Sequence, residues 1–235
     1  MMTEALIAVA AVVVLVGIIV FVLFYIGVVN SYHPMKKPKE NQIRIACVGD
    51  SITYGCMLRN RGKNNYPAVL NRLLGENYCV NNFGYTDRTA IKSGDLPFTN
   101  EKLYRQSLEF NPNIVVFLLG SNDSKEKNWN KEKFIKDYKE IIESYLALEP
   151  LQKLYIITPP PMFEVRGKVL YGLRQEVVEN EICPAIRSIA KEKGIVCIDL
   201  FEIFKDKKEL FADGVHTNPK GSKLLAETVY KIISR

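Results

Sequence analysis

Hydrophobic and polar residues are distributed unevenly along the 235 residues of this chain. Residues 5–29 form one apolar run without a charged residue, proline, asparagine or glutamine. As a helix rising ~1.5 Å per residue, the run would be roughly 37 Å long, enough to cross a ~30 Å hydrocarbon core with some tilt. It is preceded by no basic residue and closed by no small-residue cleavage site, so it does not resemble a signal peptide. The pattern predicts a retained transmembrane anchor within residues 1–30.

After this run, short hydrophobic segments alternate with longer amphipathic ones. Residues 31–42, with two prolines and several charges, are predicted to form a linker. The strand-like segments that follow are rich in Val and Ile and apolar at both alternating positions, as expected for strands covered on two faces. These segments are Ile43–Val48, Tyr78–Asn81, Ile114–Leu119, Leu154–Thr158 and Val196–Leu200.

Between these strands, apolar residues recur every three or four positions, which is the spacing of one helix face. Residues 134–148 and 178–189 show this spacing, and Pro184 is expected to kink the second helix. A last helix has a clear start, because Asn218 can cap it and Pro219 suits the first helical position.

The alternation of strands and helices predicts one α/β domain over residues 43–235. Its expected architecture is a three-layer α/β/α sandwich around a five-stranded parallel sheet. In such folds, ligands bind at the carboxyl ends of the strands.

Composition and charge narrow the classes of partner. The chain is 47% hydrophobic and 25% charged, and its net charge of +6 comes from Lys and Arg scattered among Asp and Glu. Without a basic stripe, nothing favours a nucleic-acid partner. No histidine-rich cluster, zinc-type cysteine spacing or glycine-rich phosphate loop occurs, so neither a metal nor a cofactor is predicted. The oligomeric state is left open.

The residues around the apolar run also predict an orientation. Three lysines follow it, whereas the N-terminus is nearly neutral, and the positive-inside rule then places the domain in the cytoplasm. The lysines are Lys36, Lys37 and Lys39. Five cysteines, an odd number, suit a reducing compartment. An outward-facing enzyme of an anaerobe would show the same cysteine usage, so both orientations stay open.

Short polar motifs follow three of the predicted strands. Gly-Asp-Ser at residues 49–51 follows the first, Gly84 follows the second, and Gly-Ser-Asn-Asp at residues 120–123 follows the third. Asp213 and His216 precede the last helix, and the only other histidine of the chain lies in the linker. Each motif alone has a simpler explanation, as a polar turn, a helix cap or a solvated loop.

Together the motifs form a set with a definite chemistry. Ser51 can act as a nucleophile, His216 as its base, and Asp213 as the group that orients the imidazole. Asn122 is a neutral amide donor suited to an oxyanion, and Gly84 can present a backbone N–H. The set therefore indicates acyl transfer at one edge of the sheet.

In this arrangement, Ser51, Gly84, Asn122 and His216 resemble the four blocks that name the SGNH (GDSL-type) hydrolase family. The resemblance covers residues 43–233. It implies a flavodoxin-like hydrolase fold and a catalytic triad of Ser51, His216 and Asp213. It also implies an oxyanion hole formed by the N–H groups of Ser51 and Gly84 and by the Asn122 amide, with no cofactor.

A narrower resemblance concerns the substrate. Residues 92–97, residues 122–125 and Trp129 look most like the bacterial carbohydrate O-acetylesterases, of the acetylxylan and sialate types. Relatives carry small residues after the second strand, whereas this chain has Tyr85 and Arg88, which are expected to reshape the acyl side of the pocket. Trp129 can stack on a sugar ring or belong to the core.

The expected function is therefore that of a serine esterase acting on short-chain, most simply acetyl, esters of a carbohydrate. Two alternatives stay open. The anchor fits a membrane-associated lysophospholipase or thioesterase, and the fold alone is compatible with a non-catalytic carbohydrate-binding module.

Overall fold

The computed structural model describes residues 12–21 and 35–234. Residues 12–21 are helical. Within these two ranges, no helix is both long enough and apolar enough to cross a membrane. The remainder of the apolar run, and the first part of the predicted linker, lie outside the described residues.

The sheet has the predicted composition of five parallel strands. Their order across the sheet is β2-β1-β3-β4-β5, and every neighbouring pair is parallel, which confirms the predicted five-stranded parallel α/β fold. The strands are β1 (Ile43–Gly49), β2 (Tyr78–Gly84), β3 (Ile114–Leu118), β4 (Lys153–Ile157) and β5 (Val196–Ile198).

Helices connect the strands and cover both faces of the sheet. The α-helices are α1 (Ser51–Tyr54), α2 (Arg61–Asn64), α3 (Tyr66–Leu74), α4 (Lys102–Glu109), α5 (Lys131–Leu146), α6 (Gln175–Val177), α7 (Cys183–Lys193), α8 (Leu200–Phe204) and α9 (Pro219–Ile233). Short 3₁₀ turns cover Phe98–Asn100, Asn122–Ser124, Leu170–Gly172 and Lys208–Leu210, and Val178–Ile182 forms a π-helical turn between α6 and α7.

The hydrophobic core has two parts, one on each face of the sheet. Alternate residues of β1 belong to different parts: Ala46 packs in the cluster with α5 and α7, whereas Cys47 packs in the cluster with α3 and α9. Both are fully buried, as the apolar residues at both alternating positions predict.

Local sequence signals explain where several elements begin and end. Asn218 caps α9 as predicted, because its side chain accepts hydrogen bonds from the N–H groups of Lys220 and Gly221. Pro184 lies in the first turn of α7, directly after the π-helical turn, so the helix pattern is interrupted by one widened turn just before the proline. The last strand ends earlier than predicted, because Asp199 caps α8.

Part of the predicted linker is attached to the sheet. The backbone N–H of Lys36 donates to Asn81 Oδ1 at 2.9 Å, and Asn81 Nδ2 donates to the Lys36 carbonyl at 2.9 Å. Asn81 belongs to β2, an edge strand of the sheet. The chain is therefore held against this strand from residue 36 onward.

Candidate active site

Ser51 is positioned by the sharp turn between β1 and α1. A side chain at Gly49 would clash with the carbonyl oxygen of Leu118 and with Thr53, so only glycine allows this close approach. Asp50 caps α1, and its Oδ1 accepts a hydrogen bond from the Ile52 N–H at 3.0 Å. Ser51 is the first residue of the helix, so its own N–H has no intrahelical acceptor.

The structure brings Ser51, His216 and Asp213 together. His216 Nε2 lies 2.9 Å from Ser51 Oγ, although the two residues are 165 positions apart. His216 Nδ1 lies 2.7 Å from Asp213 Oδ2. The other oxygen of Asp213 accepts backbone N–H bonds from Val215 at 2.9 Å and His216 at 2.7 Å, which holds the carboxylate in place. The three side chains form one hydrogen-bonded chain from carboxylate to hydroxyl.

The electrostatic environment of these three side chains favours a charged His216 imidazole. Burial acts to lower the pKa of His216, but the hydrogen bond to Asp213 and the contact with the Cys56 thiol outweigh it and raise the pKa above its ordinary 6.5. Burial acts to raise the pKa of Asp213, but hydrogen bonds from the His216 ring and backbone hold it below its usual range. Asp213 therefore stays ionised and stabilises an imidazolium at His216.

Asn122 faces the same cavity from the loop after β3. It is buried, begins the 3₁₀ turn Asn122–Ser124, and lines the cavity beside Ser51. One N–H of its side-chain amide donates to the Arg88 carbonyl at 3.2 Å. The amide has a second N–H that can be offered to a ligand.

Gly84, the other predicted oxyanion donor, has a different environment. Its N–H donates to Asn82 Oδ1 at 2.9 Å. A side chain at Gly84 would clash with the backbone of Tyr54 in α1, so the glycine is needed for packing. Gly84 is not among the residues that line the cavity.

Asp87 is one of the cavity residues that were not predicted from the sequence. It lies beside Ser51 and Asn122, and its backbone is left-handed, with φ 65°. Its N–H makes no hydrogen bond with the described part of the chain. Asp is one of the few non-glycine residues that adopt this conformation readily. A glycine at this position would have indicated a left-handed turn from the sequence. Because the residue is an aspartate, the turn could not be predicted.

Asp123 joins the two loops that carry Asp87 and Asn122. Its two carboxylate oxygens accept hydrogen bonds from the N–H groups of Ala90 at 3.0 Å and Ile91 at 2.8 Å. The side chain is fully buried, and this burial raises its pKa to about 7 despite the two bonds. The loop after β2 is thereby fastened to the loop after β3.

Tyr171 closes the cavity on the side of His216. Its O–H donates to Asp213 Oδ2 at 2.8 Å, and its ring meets the His216 ring edge-on, with centroids 5.3 Å apart. The cavity has a volume of about 230 Å³. Tyr171 has a left-handed backbone, with φ 64°, in an irregular segment without hydrophobic periodicity, so no sequence pattern indicated its position.

The aromatic and basic residues predicted to shape the rim lie outside the cavity lining. The Arg88 guanidinium is stacked over the Tyr85 ring at 4.0 Å, and its Nε donates to Glu101 at 2.8 Å. Trp129 packs against Phe134, with ring centroids 5.5 Å apart, at the edge of the core. Of the two roles considered for Trp129, core packing is the one observed.

Known proteins that are similar to this chain in sequence are lipases, acylhydrolases and esterases by name. The profile of the GDSL-like lipase/acylhydrolase family matches residues 47–224. An acetylxylan esterase of Xylanibacter ruminicola is 36% identical over 219 residues, which cover 85% of this chain and 45% of that protein. The chain therefore spans less than half the length of this relative.

Solved structures with the same fold include esterases. An aryl esterase of M. smegmatis has a TM-score of 0.67 at 18% identity, over 82% of this chain and 98% of that one. A carbohydrate acetylesterase from Sinorhizobium meliloti has a TM-score of 0.66 at 15% identity, over 82% of this chain and 99% of that one. At these identities the similarity establishes the fold.

Proposed function

The chain belongs to the GDSL-like lipase/acylhydrolase family, a family of carboxylic ester hydrolases, and we propose that it is a serine esterase of short-chain carbohydrate esters. The observation that carries the proposal is the hydrogen-bonded chain from Asp213 through His216 to Ser51, which opens on a small cavity. This is the arrangement needed to activate a hydroxyl for attack on a carbonyl.

The proposed reaction has two steps. His216 Nε2 takes the proton of Ser51 as Oγ attacks the ester carbonyl, and it then gives that proton to the leaving alcohol. Water next attacks the acyl-enzyme, again losing a proton to His216, and the carboxylic acid leaves as Ser51 recovers its proton. Asp213 stabilises the imidazolium in both steps.

The oxyanion of each tetrahedral intermediate needs donors that are not already occupied. The N–H of Ser51 and the side-chain amide of Asn122 fit this requirement. For the third donor we propose the N–H of Asp87 in place of Gly84, because the Gly84 N–H already donates to Asn82 and the Asp87 N–H faces no acceptor among the described residues. Backbone donors of this kind need no rearrangement during the reaction.

Replacing Asn122 by alanine tests the oxyanion hole. We expect kcat for p-nitrophenyl acetate to fall by a factor of ~10² to 10³, about 3 kcal/mol, with little change in KM, because the amide acts mainly in the transition state. Steady-state kinetics of purified Asn122→Ala measure this effect. The matched control is Asn100→Ala, at an exposed position away from the cavity, and an equal loss in both variants would contradict the assignment.

The raised pKa of His216 predicts the pH dependence. Only the neutral imidazole can accept the serine proton, so activity is lost as the pH falls through the pKa of His216. Because that pKa is raised, we expect the midpoint of this loss in kcat/KM to lie above pH 6.5. A pH profile corrected for spontaneous hydrolysis measures the midpoint, and a midpoint below pH 6.5 would contradict the prediction.

The acyl group and the alcohol are inferred from the cavity and the relatives. A cavity of only about 230 Å³ suits an acetyl group better than a long chain. The relative described as an acetylxylan esterase and the structural neighbour described as a carbohydrate acetylesterase support the same substrate class. We expect acetate release from acetylated xylan and a preference for p-nitrophenyl acetate over the palmitate ester.

The alternatives give different results in the same assays. The apolar run at residues 5–29 favours a membrane-associated lysophospholipase or thioesterase, for which the palmitate ester would be the better substrate. A non-catalytic carbohydrate-binding module would not be labelled at Ser51 by a fluorophosphonate probe. Labelling that is lost in Ser51→Ala excludes this second alternative.

The cellular location is part of the proposal. Residues 5–29 are proposed to anchor the protein in the cell membrane as a single pass, with the esterase domain on the cytoplasmic side because of the lysines that follow. Protease added to intact cells would digest the domain only if it faced outward. Digestion in intact cells would therefore contradict the cytoplasmic orientation.

A further inference from the structure

The catalytic cavity has room for the reacting ester but not for a chain of sugar residues. Its volume of about 230 Å³ is below the roughly 300 Å³ at which pockets begin to enclose drug-sized ligands. Tyr171 also borders a second, more open groove of about 480 Å³, which is lined in addition by Lys125, Glu126, Lys127 and Gly172. We propose that this outer groove is a subsite for sugar residues on the alcohol side of the ester. The ring of Tyr171, which borders both the catalytic cavity and the groove, is the surface on which a sugar packs. The inference rests on the proposed esterase function.

The position of His216 determines which part of the substrate reaches the outer groove. The leaving alcohol must lie within hydrogen-bonding reach of His216 Nε2 to receive its proton. Tyr171 packs edge-on against the His216 ring, at a centroid distance of 5.3 Å. The alcohol therefore lies close to Tyr171, which also borders the outer groove.

Tyr171 presents a fixed and exposed aromatic surface. It is 51% exposed, although its O–H is held by Asp213 at 2.8 Å. A ring that is already held in place loses little conformational freedom when a ligand packs on it. An aromatic face pairs readily with the apolar C–H face of a sugar, while the sugar hydroxyls need polar partners around it.

The charges of the outer groove favour a neutral hydroxylated ligand over a phosphate. Lys127 Nζ lies 2.7 Å from Asp95 Oδ2, and Lys125 Nζ lies 3.5 Å from Asp87 Oδ1. Both lysines thus face aspartates, and Glu126 adds another negative charge. The groove offers donors and acceptors without a net positive field, which suits hydroxyl groups.

The test compares two substrates in each variant of the full chain, purified in a mild detergent. The readout is kcat/KM for acetylated xylo-oligosaccharides divided by kcat/KM for methyl acetate, whose one-carbon alcohol is too small to cover the Tyr171 ring. In Tyr171→Ala we expect this ratio to fall by about tenfold. In Tyr171→Phe the ring remains, so we expect the ratio to stay within about twofold while both rates fall together.

A second pair of variants does not touch the triad. Lys127→Ala should lower the ratio by about threefold, whereas Lys205→Ala, at another exposed lysine outside the groove, should leave it unchanged. An unchanged ratio in Tyr171→Ala would overturn the proposed subsite. Absence of Ser51-dependent hydrolysis of p-nitrophenyl acetate by the wild-type chain would instead overturn the proposed function.

Binding tests the outer groove independently of turnover. Xylotetraose is titrated into Ser51→Ala and observed by saturation-transfer NMR. We expect a signal that is lost in Ser51→Ala/Tyr171→Ala and kept in Ser51→Ala/Tyr171→Phe. No signal in Ser51→Ala, or an equal signal in the Tyr171→Ala double variant, would overturn the subsite whether or not the esterase function holds.

Discussion

Ser51→Ala is expected to lower kcat/KM for p-nitrophenyl acetate by a factor of at least about 10⁴, because the Ser51 hydroxyl is the group proposed to form the acyl-enzyme. The hydroxyl lies 2.9 Å from His216 Nε2, and its loss removes the nucleophile without removing a buried apolar group. Initial rates of the purified variant, together with its circular dichroism spectrum and thermal midpoint, measure activity and folding separately.

The control for this variant is Ser93→Ala, the same change at an exposed serine. It should leave both activity and thermal midpoint unchanged. Wild-type rates in Ser51→Ala would exclude this residue as the nucleophile. A folded and active Ser51→Ala would direct attention to another group that lines the cavity, of which the Cys56 thiol is the nearest in chemistry.

Asp213→Asn is expected to lower kcat by a factor of about 10³ to 10⁴, with the shape of the site retained. An amide cannot stabilise the imidazolium, and it can hold the ring in the wrong tautomer by donating to Nδ1. Because Asp213 raises the pKa of His216, the acidic midpoint of the residual activity should also move to lower pH.

The matched control is Asp206→Asn, at an exposed position. It carries the same change of charge and should retain both the rate and the pH profile. A loss of rate in Asp213→Asn with an unshifted acidic midpoint would mean that Asp213 only supports the loop through its bonds to the Val215 and His216 N–H groups. The pH profile therefore separates the electrostatic role from the structural one.

The parts of the site that could be predicted from the sequence lie at strand ends. Parallel strands deliver their carboxyl ends to one edge, so Ser51 after β1 and Asn122 after β3 could be placed together once the strands were recognised. His216 could be placed because it precedes a helix with a clear cap at Asn218. The structure brings all three to one cavity.

The parts that could not be predicted depend on backbone conformation and on irregular segments. Gly84 is a plausible donor by its position, but which N–H group is left without an acceptor depends on the Asn82 side chain and on the left-handed turn at Asp87. Tyr171 lies in a segment of 3₁₀ and extended structure, where residue spacing carries no information about side-chain direction. Such positions are determined by tertiary contacts.

The buried carboxylate of Asp123 has a consequence for how the enzyme responds to charge. By accepting hydrogen bonds from the N–H groups of Ala90 and Ile91, it ties the loop of Asp87 to the loop of Asn122. The spacing between their dipoles is set when the protein folds. In the proposed mechanism, little reorganisation energy then remains to be supplied as negative charge appears on the ester oxygen. An anion of a different shape would gain less from donors at this spacing.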